Sequence, residues 1–439
     1  MEINIKNIGQ IGSSCNISIH GLTVIAGVNN SGKSTLNRTV YSALSSLYQY
    51  KSMINNSKNS SIMDIFEDII NEINFDPQEY FEFRDSFEEQ VDELTKKDVP
   101  FEKFYQTLVK KIKDTGFDYV DDEANDIKNK LSHFLSTDDQ TILTSNATNT
   151  FASEFYGQIT NVNNPELNST IELTIKGTTT TFVIKDNRIV SIENPSELRS
   201  QPMFLDEAMN VSGMMPRPRY FRDQSRFSRN HIQKFFDSLY KPEKLYSTNE
   251  NSGEEFLNLN NLYVNHKFSS IYEKLESVIP DKLTVTGLGR RREKEIISDS
   301  AININNISSG LKTFIYIKRL LQNETLSENG TLILDEPEIH LHPEWQIVFA
   351  EIIVLIQKEF AMHILLTTHS PYFLQAIQVF SEKYGIENKT EYYVSDVNSD
   401  GFSHFVNTTK DVGKIYTLLA KPFEILNNIE SKMRESSED

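Results

Sequence analysis

Residues 27–35 read Gly-Val-Asn-Asn-Ser-Gly-Lys-Ser-Thr. Gly27, Gly32, Lys33 and Ser34 fall at the G-x-x-x-x-G-K-[ST] spacing of a phosphate loop. The apolar run 22–26 before it reads as a buried strand, and 36–47 after it as a helix. A strand, a glycine-containing loop and a helix N-terminus together direct backbone N–H groups at phosphate oxygens. Gly27 and Gly32 let the backbone close around an anion without a Cβ. In this reading Asn29, Asn30, Ser31 and Thr35 complete the cradle, Lys33 reaches the terminal phosphates, and the Ser34 hydroxyl sits on Mg²⁺.

The rest of the chain sets bounds. At 439 residues it exceeds one simple core and predicts two or three subdomains. A formal net charge of -18 argues against a generic nucleic-acid binder unless basic residues are gathered locally. The single cysteine, Cys15, rules out an intrachain disulfide and a cysteine zinc site, and fits a reducing cytoplasm. Residues 1–5 alternate apolar and polar like a strand rather than a signal peptide. The most apolar stretch, 347–356, carries Glu351 and is too short to cross a membrane, so it reads as a core helix.

In chain order, residues 1–26 predict two or three strands. Residues 50–165 are rich in polar residues, with Ile62, Phe66, Ile69, Ile70 and Ile73 at helical spacing, and predict a mostly helical inserted arm. Residues 169–192 alternate and are β-branched, with turns at Gly177 and Asp186-Asn187, which predicts a β-meander. Arg217, Arg219, Arg222, Arg226, Arg229 and Lys234, interleaved with aromatics, suit either a DNA backbone or a positive edge facing the protein's own acidic arm or its nucleotide. The run Arg290-Arg291-Arg292 with Lys294 reads the same two ways. The divisions expected are 1–49, the first part of the head; 50–165, the arm; 166–300, a β-meander with a helical and basic subdomain; and 301–439, the rest of the head.

A second set of motifs lies in that last part. Residues 331–337, Thr-Leu-Ile-Leu-Asp-Glu-Pro, are a buried strand ending in paired carboxylates. That is where a nucleotide fold places a metal-site carboxylate, here Asp335, beside a general base, here Glu336. Residues 364–370 form another buried strand ending in His369. Residues 307–312, Ile-Ser-Ser-Gly-Leu-Lys, open a helix with Ser308 or Ser309 as N-cap, either a plain cap or a second anion-binding terminus. His340 and His342, two apart on an extended segment, allow a metal pair or a structural role, and lack nearby cysteine ligands.

This order resembles the heads of ABC-class ATPases, in the branch that holds RecF, SMC and OLD-family proteins. The resemblance rests on residues 27–35, on Ile307-Ser308-Ser309-Gly310-Leu311-Lys312 as a degenerate signature, on Glu338-Ile339-His340-Leu341-His342-Pro343 after the carboxylates, and on Thr368-His369-Ser370-Pro371. It spans residues 1–48 and 300–375 directly. Two positions depart from it: Leu341-His342 stands where the D-loop has Leu-Asp, and Gln224 is a weak Q-loop candidate. Seventy residues follow His369, too few for the Toprim nuclease domain of OLD nucleases.

The resemblance implies an α/β fold: an ABC-type P-loop NTPase head with an antiparallel β subdomain and a long, mostly helical insertion. It implies ATP and Mg²⁺ as ligands, with Ser34 and Asp335 on the metal, Glu336 activating water and His369 sensing the γ-phosphate. Ser308, Ser309 and Gly310 would close the site of a second copy, making a head-to-head homodimer or a larger assembly. Relatives without a nuclease domain act in Septu- and PARIS-type anti-phage systems beside a separately encoded effector, often a nuclease. The alternative it leaves open is a RecF- or SMC-like clamp on DNA.

Overall fold

The computed structural model describes residues 1–12, 14–73, 75–97, 99–115, 121–164, 167–206, 230–239, 241, 259–280, 284–286 and 301–435. The arginines at 217–229, Gln224 and the basic run 290–294 lie outside the described residues. The chain divides into two compact units, 1–48 with 147–439, and 49–146.

Strands β1 (Glu2–Lys6), β2 (Cys15–Ser18) and β3 (Leu22–Gly27) lead into α1 (Lys33–Leu47). Five helices follow: α2 (Tyr50–Glu72), α3 (Pro77–Lys96), α4 (Phe101–Lys113), α5 (Asp121–Ser136) and α6 (Asp139–Phe155). The meander is β4 (Ser169–Ile175), β5 (Thr178–Lys185) and β6 (Arg188–Glu193). Then come β7 (Met203–Leu205), α7 (His231–Leu239), α8 (Leu259–Glu276), β8 (Thr284–Thr286), β9 (Ala301–Asn303) and α9 (Ser309–Gln322). The chain continues through β10 (Thr331–Asp335), α10 (Pro343–Phe360), β11 (His363–Thr368), α11 (Pro371–Lys383), β12 (Thr390–Val397), β13 (Ser403–Asn407) and α12 (Gly413–Glu435).

The larger unit is built on two main sheets. One is antiparallel, in the order β2-β1-β4-β5-β6. Alternation buries Ile3, Ile5, Ile171, Leu173, Phe182 and Ile184 on one face. Its hairpins turn where left-handed backbone is needed, at Gly177 (φ 82°) and at Asp186-Asn187 (φ 51° and 58°). The other sheet runs β13-β12-β3-β11-β10-β7, with β12, β3, β11, β10 and β7 parallel and β13 antiparallel at the edge. Its central strands are continuous apolar runs because helices cover both faces. Leu332 and Leu334, Ile364 and Leu366, and Leu22 and Val24 join one core with Phe314, Phe349 and Phe373. Residues 349–357 are buried within α10, as the apolar stretch predicted. Glu351 is accommodated there by Lys274, Lys383 and Tyr384.

The smaller unit has its own core, in which Ile62, Phe66, Phe87, Leu108 and Leu131 take part. Phe66 and Phe87 meet edge to face with centroids 5.4 Å apart. Helix α3 opens with a reciprocal capping box, Asp76 accepting from the Gln78 and Glu79 N–H groups while Glu79 returns to Asp76.

Residues 147–155 of α6 belong to the larger unit, where Glu154 pairs with His231. Strand β4 pairs with β1 along Glu2–Lys6, which joins the meander to the first strands of the chain. Helix α9 begins at Ser309 with Ser308 at its N-cap position.

Candidate nucleotide site

The parallel strands end level with one another. Ala26 pairs with Thr368, and Asp335 with Thr367, so the loops leaving β3, β11 and β10 emerge side by side at the carboxyl edge of the sheet. That edge is where open α/β sheets bind ligands.

Gly32 holds φ 83°, and a Cβ there would lie 2.1 Å from Ser403 Oγ. A Cβ on Gly27 would lie equally close to Ser395 Oγ. The loop is therefore pressed onto the β12–β13 hairpin, and Ser31 Oγ meets Ser395 Oγ at 2.6 Å. Helix α1 starts in this loop with no side-chain cap and no acidic residue in its first turn. Its first N–H groups are thus left for an anion.

Lys33 is 4% exposed. Its Nζ donates to the Val28 carbonyl at 2.8 Å and the Gly27 carbonyl at 3.1 Å, and lies 3.6 Å from Glu336 Oε1. Burial pulls its pKa down, against the carboxylates around it. Glu336 sits just past β10 at φ 51°, a strained conformation for a non-glycine residue. Its N–H donates to the Thr367 carbonyl at 3.1 Å, which fixes the turn. His369 Nε2 lies 2.5 Å from Glu336 Oε2. Burial pushes the Glu336 pKa up, but His369 and Lys33 outweigh it and the carboxyl is held below its usual range. The hydrogen bond to Glu336 raises the His369 pKa in turn.

Asp335 Oδ1 accepts from Asn37 Nδ2 at 3.0 Å and from the Thr367 hydroxyl, and the Ser34 hydroxyl also bonds the carboxylate. Burial raises its pKa. A half-buried carboxylate beside a loop serine, within a set of oxygen donors, has the chemistry of a Mg²⁺ site. The uncapped α1 terminus and the glycine cradle have the chemistry of a phosphate site. The residues present therefore fit Mg-nucleotide. A cleft of about 860 Å³ runs over the loop, lined by Asn29 to Thr35, Arg38, Glu336 and His369, and by Gly9, Gln10, Thr160 to Asn163 and Phe402 at its margins. Ser308, Ser309 and Gly310 are not among its lining residues. Ser308 is the residue preceding α9 but makes no side-chain cap bond, and a Cβ on Gly310 would lie 2.7 Å from the His340 carbonyl. Gly310 thus has a packing reason within its own chain. His340 and His342 belong to no group of metal-ligating residues among the described ones.

Residues 1–374 match the AAA ATPase domain family AAA_15. The chain belongs to that family. This AAA_15 chain is also similar, at 32% identity over 111 residues, to the Septu protein PtuA of Bacillus thuringiensis, covering 22% of this chain and 27% of that one. It is 27% identical over 161 residues to the Retron Vc95 probable ATPase of Vibrio cholerae serotype O1 biovar El Tor, covering 34% of this chain and 29% of that one. The alignments thus span under a third of the length of both curated relatives. The Septu and retron names agree with the defence-ATPase resemblance drawn from the sequence. Among solved structures, the SMC head domain from Thermotoga maritima aligns over 92% of this chain and 97% of that chain, at 10% identity and TM-score 0.37. Among the described residues, no helix of this AAA_15 chain is long and apolar enough to cross a membrane.

Several residues of the site region escaped sequence reasoning. Asn37 and Thr367 fix Asp335; Thr367 was signalled as a polar residue at a buried strand end, whereas Asn37 is one of many polar residues in α1 and gave no local signal. A second cluster, Asp206, His231 and Glu154, sits beyond β7, the strand next to β10. His231 is 5% exposed, with Nδ1 2.5 Å from Glu154 Oε2 and Nε2 2.8 Å from Asp206 Oδ2. Its ring stacks on Phe204 at 4.3 Å. No linear motif joins three residues so far apart in sequence.

Burial alone would lower the His231 pKa, but the bonds to Asp206 and Glu154 win and push it up to about 9. The folded value lies above the unfolded one, so this stabilisation is complete below the ordinary 6.5 and is lost as pH rises through about 9. Its size is roughly 3 kcal/mol. Thermal unfolding of the native chain should therefore lose more stability between neutral pH and about pH 9.5 than that of His231→Gln. Equal pH slopes for the two proteins would remove the imidazolium from the account.

Proposed function

We propose that this chain binds and hydrolyses Mg-ATP in this cleft. We further propose that it pairs head to head with a second copy, and so regulates a separately encoded effector, a nuclease, in cytoplasmic anti-phage defence. The observation that supports the reading is the convergence of Lys33, Asp335, Glu336 and His369, from three loops of one sheet edge, around an uncapped helix N-terminus.

Lys33 and the α1 N–H groups bind and orient the phosphates. Ser34 and Asp335 would hold Mg²⁺, which supplies further charge neutralisation. Glu336, kept ionised by Lys33 and His369, takes the proton of the attacking water. His369, bonded to one carboxylate oxygen, fixes the direction of the other. Most of the rate enhancement in such a site is positioning and charge stabilisation. Ser308, Ser309 and Gly310 stand outside their own cleft, which suits a contribution to the site of the second copy.

Light scattering tests the pairing. The native chain should double its mass on adding Mg-ATP and return as nucleotide is consumed. A monomer under both conditions would end the trans role of Ser308 and Gly310. DNA retention that falls steeply with salt would favour the clamp reading instead.

A further inference from the structure

Glu338 is 3% exposed, inside the turn that follows Asp335 and Glu336. It does not line the cleft. Its Oε1 accepts from the Thr368 hydroxyl and, at 3.2 Å, from the His369 N–H. Its Oε2 is buried with no hydrogen-bond partner among the described residues. The Thr368 hydroxyl accepts in turn from the Ser370 N–H at 3.0 Å. Nearby, Gln346 Oε1 accepts from the Ser370 hydroxyl at 2.8 Å, and Gln346 Nε2 donates to the Leu341 carbonyl at 3.2 Å. The loop after β10 is thereby sewn to the loop after β11. These two loops carry the two halves of the Glu336–His369 pair.

A carboxyl with one unpaired oxygen is an expensive way to fill a buried space. An apolar side chain there would relieve that oxygen but leave the Thr368 hydroxyl and the His369 N–H as buried donors without their acceptor. The two acceptor bonds are what an apolar side chain would forfeit, and one of them goes to the backbone of His369 itself. We infer that Glu338 is a positioning residue that seats His369 against Glu336, through the acceptor geometry of its Oε1. Lining no part of the cleft, it acts through His369. The inference rests on the ATPase reading for its kinetic consequence, though not for its geometry.

Two substitutions separate acceptor from bulk. Glu338→Met keeps the volume and removes the acceptor. Glu338→Gln keeps an oxygen that accepts the same two bonds. In the Met variant kcat should fall about ten- to a hundredfold, as expected for a slight misplacement of reacting groups, with ATP affinity within about twofold of native and a modest fall in Tm from the two donors left unpaired. In the Gln variant kcat should return to within about threefold of native. A second readout needs no turnover. In ¹⁵N-histidine-labelled protein, the Nε2–H signal absent from His369→Gln, resolved from the Nδ1 side that faces the Gly27 carbonyl at 3.3 Å, reports the bond to Glu336. It should persist in the Gln variant and shift or vanish in the Met variant.

The inference is overturned if the Met variant keeps native kcat and an unchanged ring signal, or if Gln is as impaired as Met. It is also overturned if Met loses ATP affinity and Tm together, the mark of a general packing role. Should the native chain hydrolyse no ATP, the ATPase reading falls, and the histidine spectra still decide the positioning.

Discussion

Glu336→Gln is expected to bind Mg-ATP with native affinity and to hydrolyse it about 10²–10⁴-fold more slowly, the range set by removing a general base. The substitution preserves shape and the hydrogen bond to His369. It removes the negative charge that Lys33 and His369 keep in place. Affinity should hold, or rise slightly, because a carboxylate 3.6 Å from the Lys33 ammonium would repel phosphates held by that lysine. The strained turn at φ 51° stays fixed through the backbone bond to Thr367, so the variant should fold as the native chain does. Stopped-flow phosphate release with parallel calorimetric titration reads both quantities. An unchanged hydrolysis rate would take the base away from Glu336 and leave it as a structural partner of His369.

Lys33→Met should lose ATP affinity by about 100-fold, the upper range for a charge-assisted hydrogen bond. The buried ammonium is the only cation given a contact with Glu336 besides His369 among the described residues. Its removal leaves the carbonyls of Gly27 and Val28 and the Glu336 carboxylate facing the phosphates. Methionine fills the same channel, so stability should change little while binding collapses. Titration with a fluorescent ATP analogue checks this. Affinity within threefold of native would mean that the α1 N-terminus alone carries the anion.

Much of the site was legible because phosphate chemistry makes local demands. Residues 27–35, Asp335-Glu336 and His369 each mark a strand end, and parallel strands that end level bring their loops together without further instruction. The fold class followed from the same pattern. Less legible was anything set by pairing at long range. That β4 joins β1, and that Ser395 and Ser403 brace the phosphate loop, depends on register between distant segments rather than on any local period. The Asp206–His231–Glu154 cluster was hidden for the same reason. Glu338 looked like part of a motif, but its burial and its bond to His369 appear only once the strands are side by side.

Strand β3 lies between β11 and β12, and Gly27 and Gly32 rest on side chains at 395 and 403. Made early on the ribosome, the phosphate loop therefore waits for nearly the whole chain before it takes its final form. A product halted between residues 370 and 390 would carry the phosphate loop, Asp335, Glu336 and His369 but lack the side chains at 395 and 403 on which Gly27 and Gly32 rest. The brace of the phosphate loop is thus the last part of its surroundings to be made, and shortening the chain at this edge strand should loosen the loop before it touches any residue of the motif.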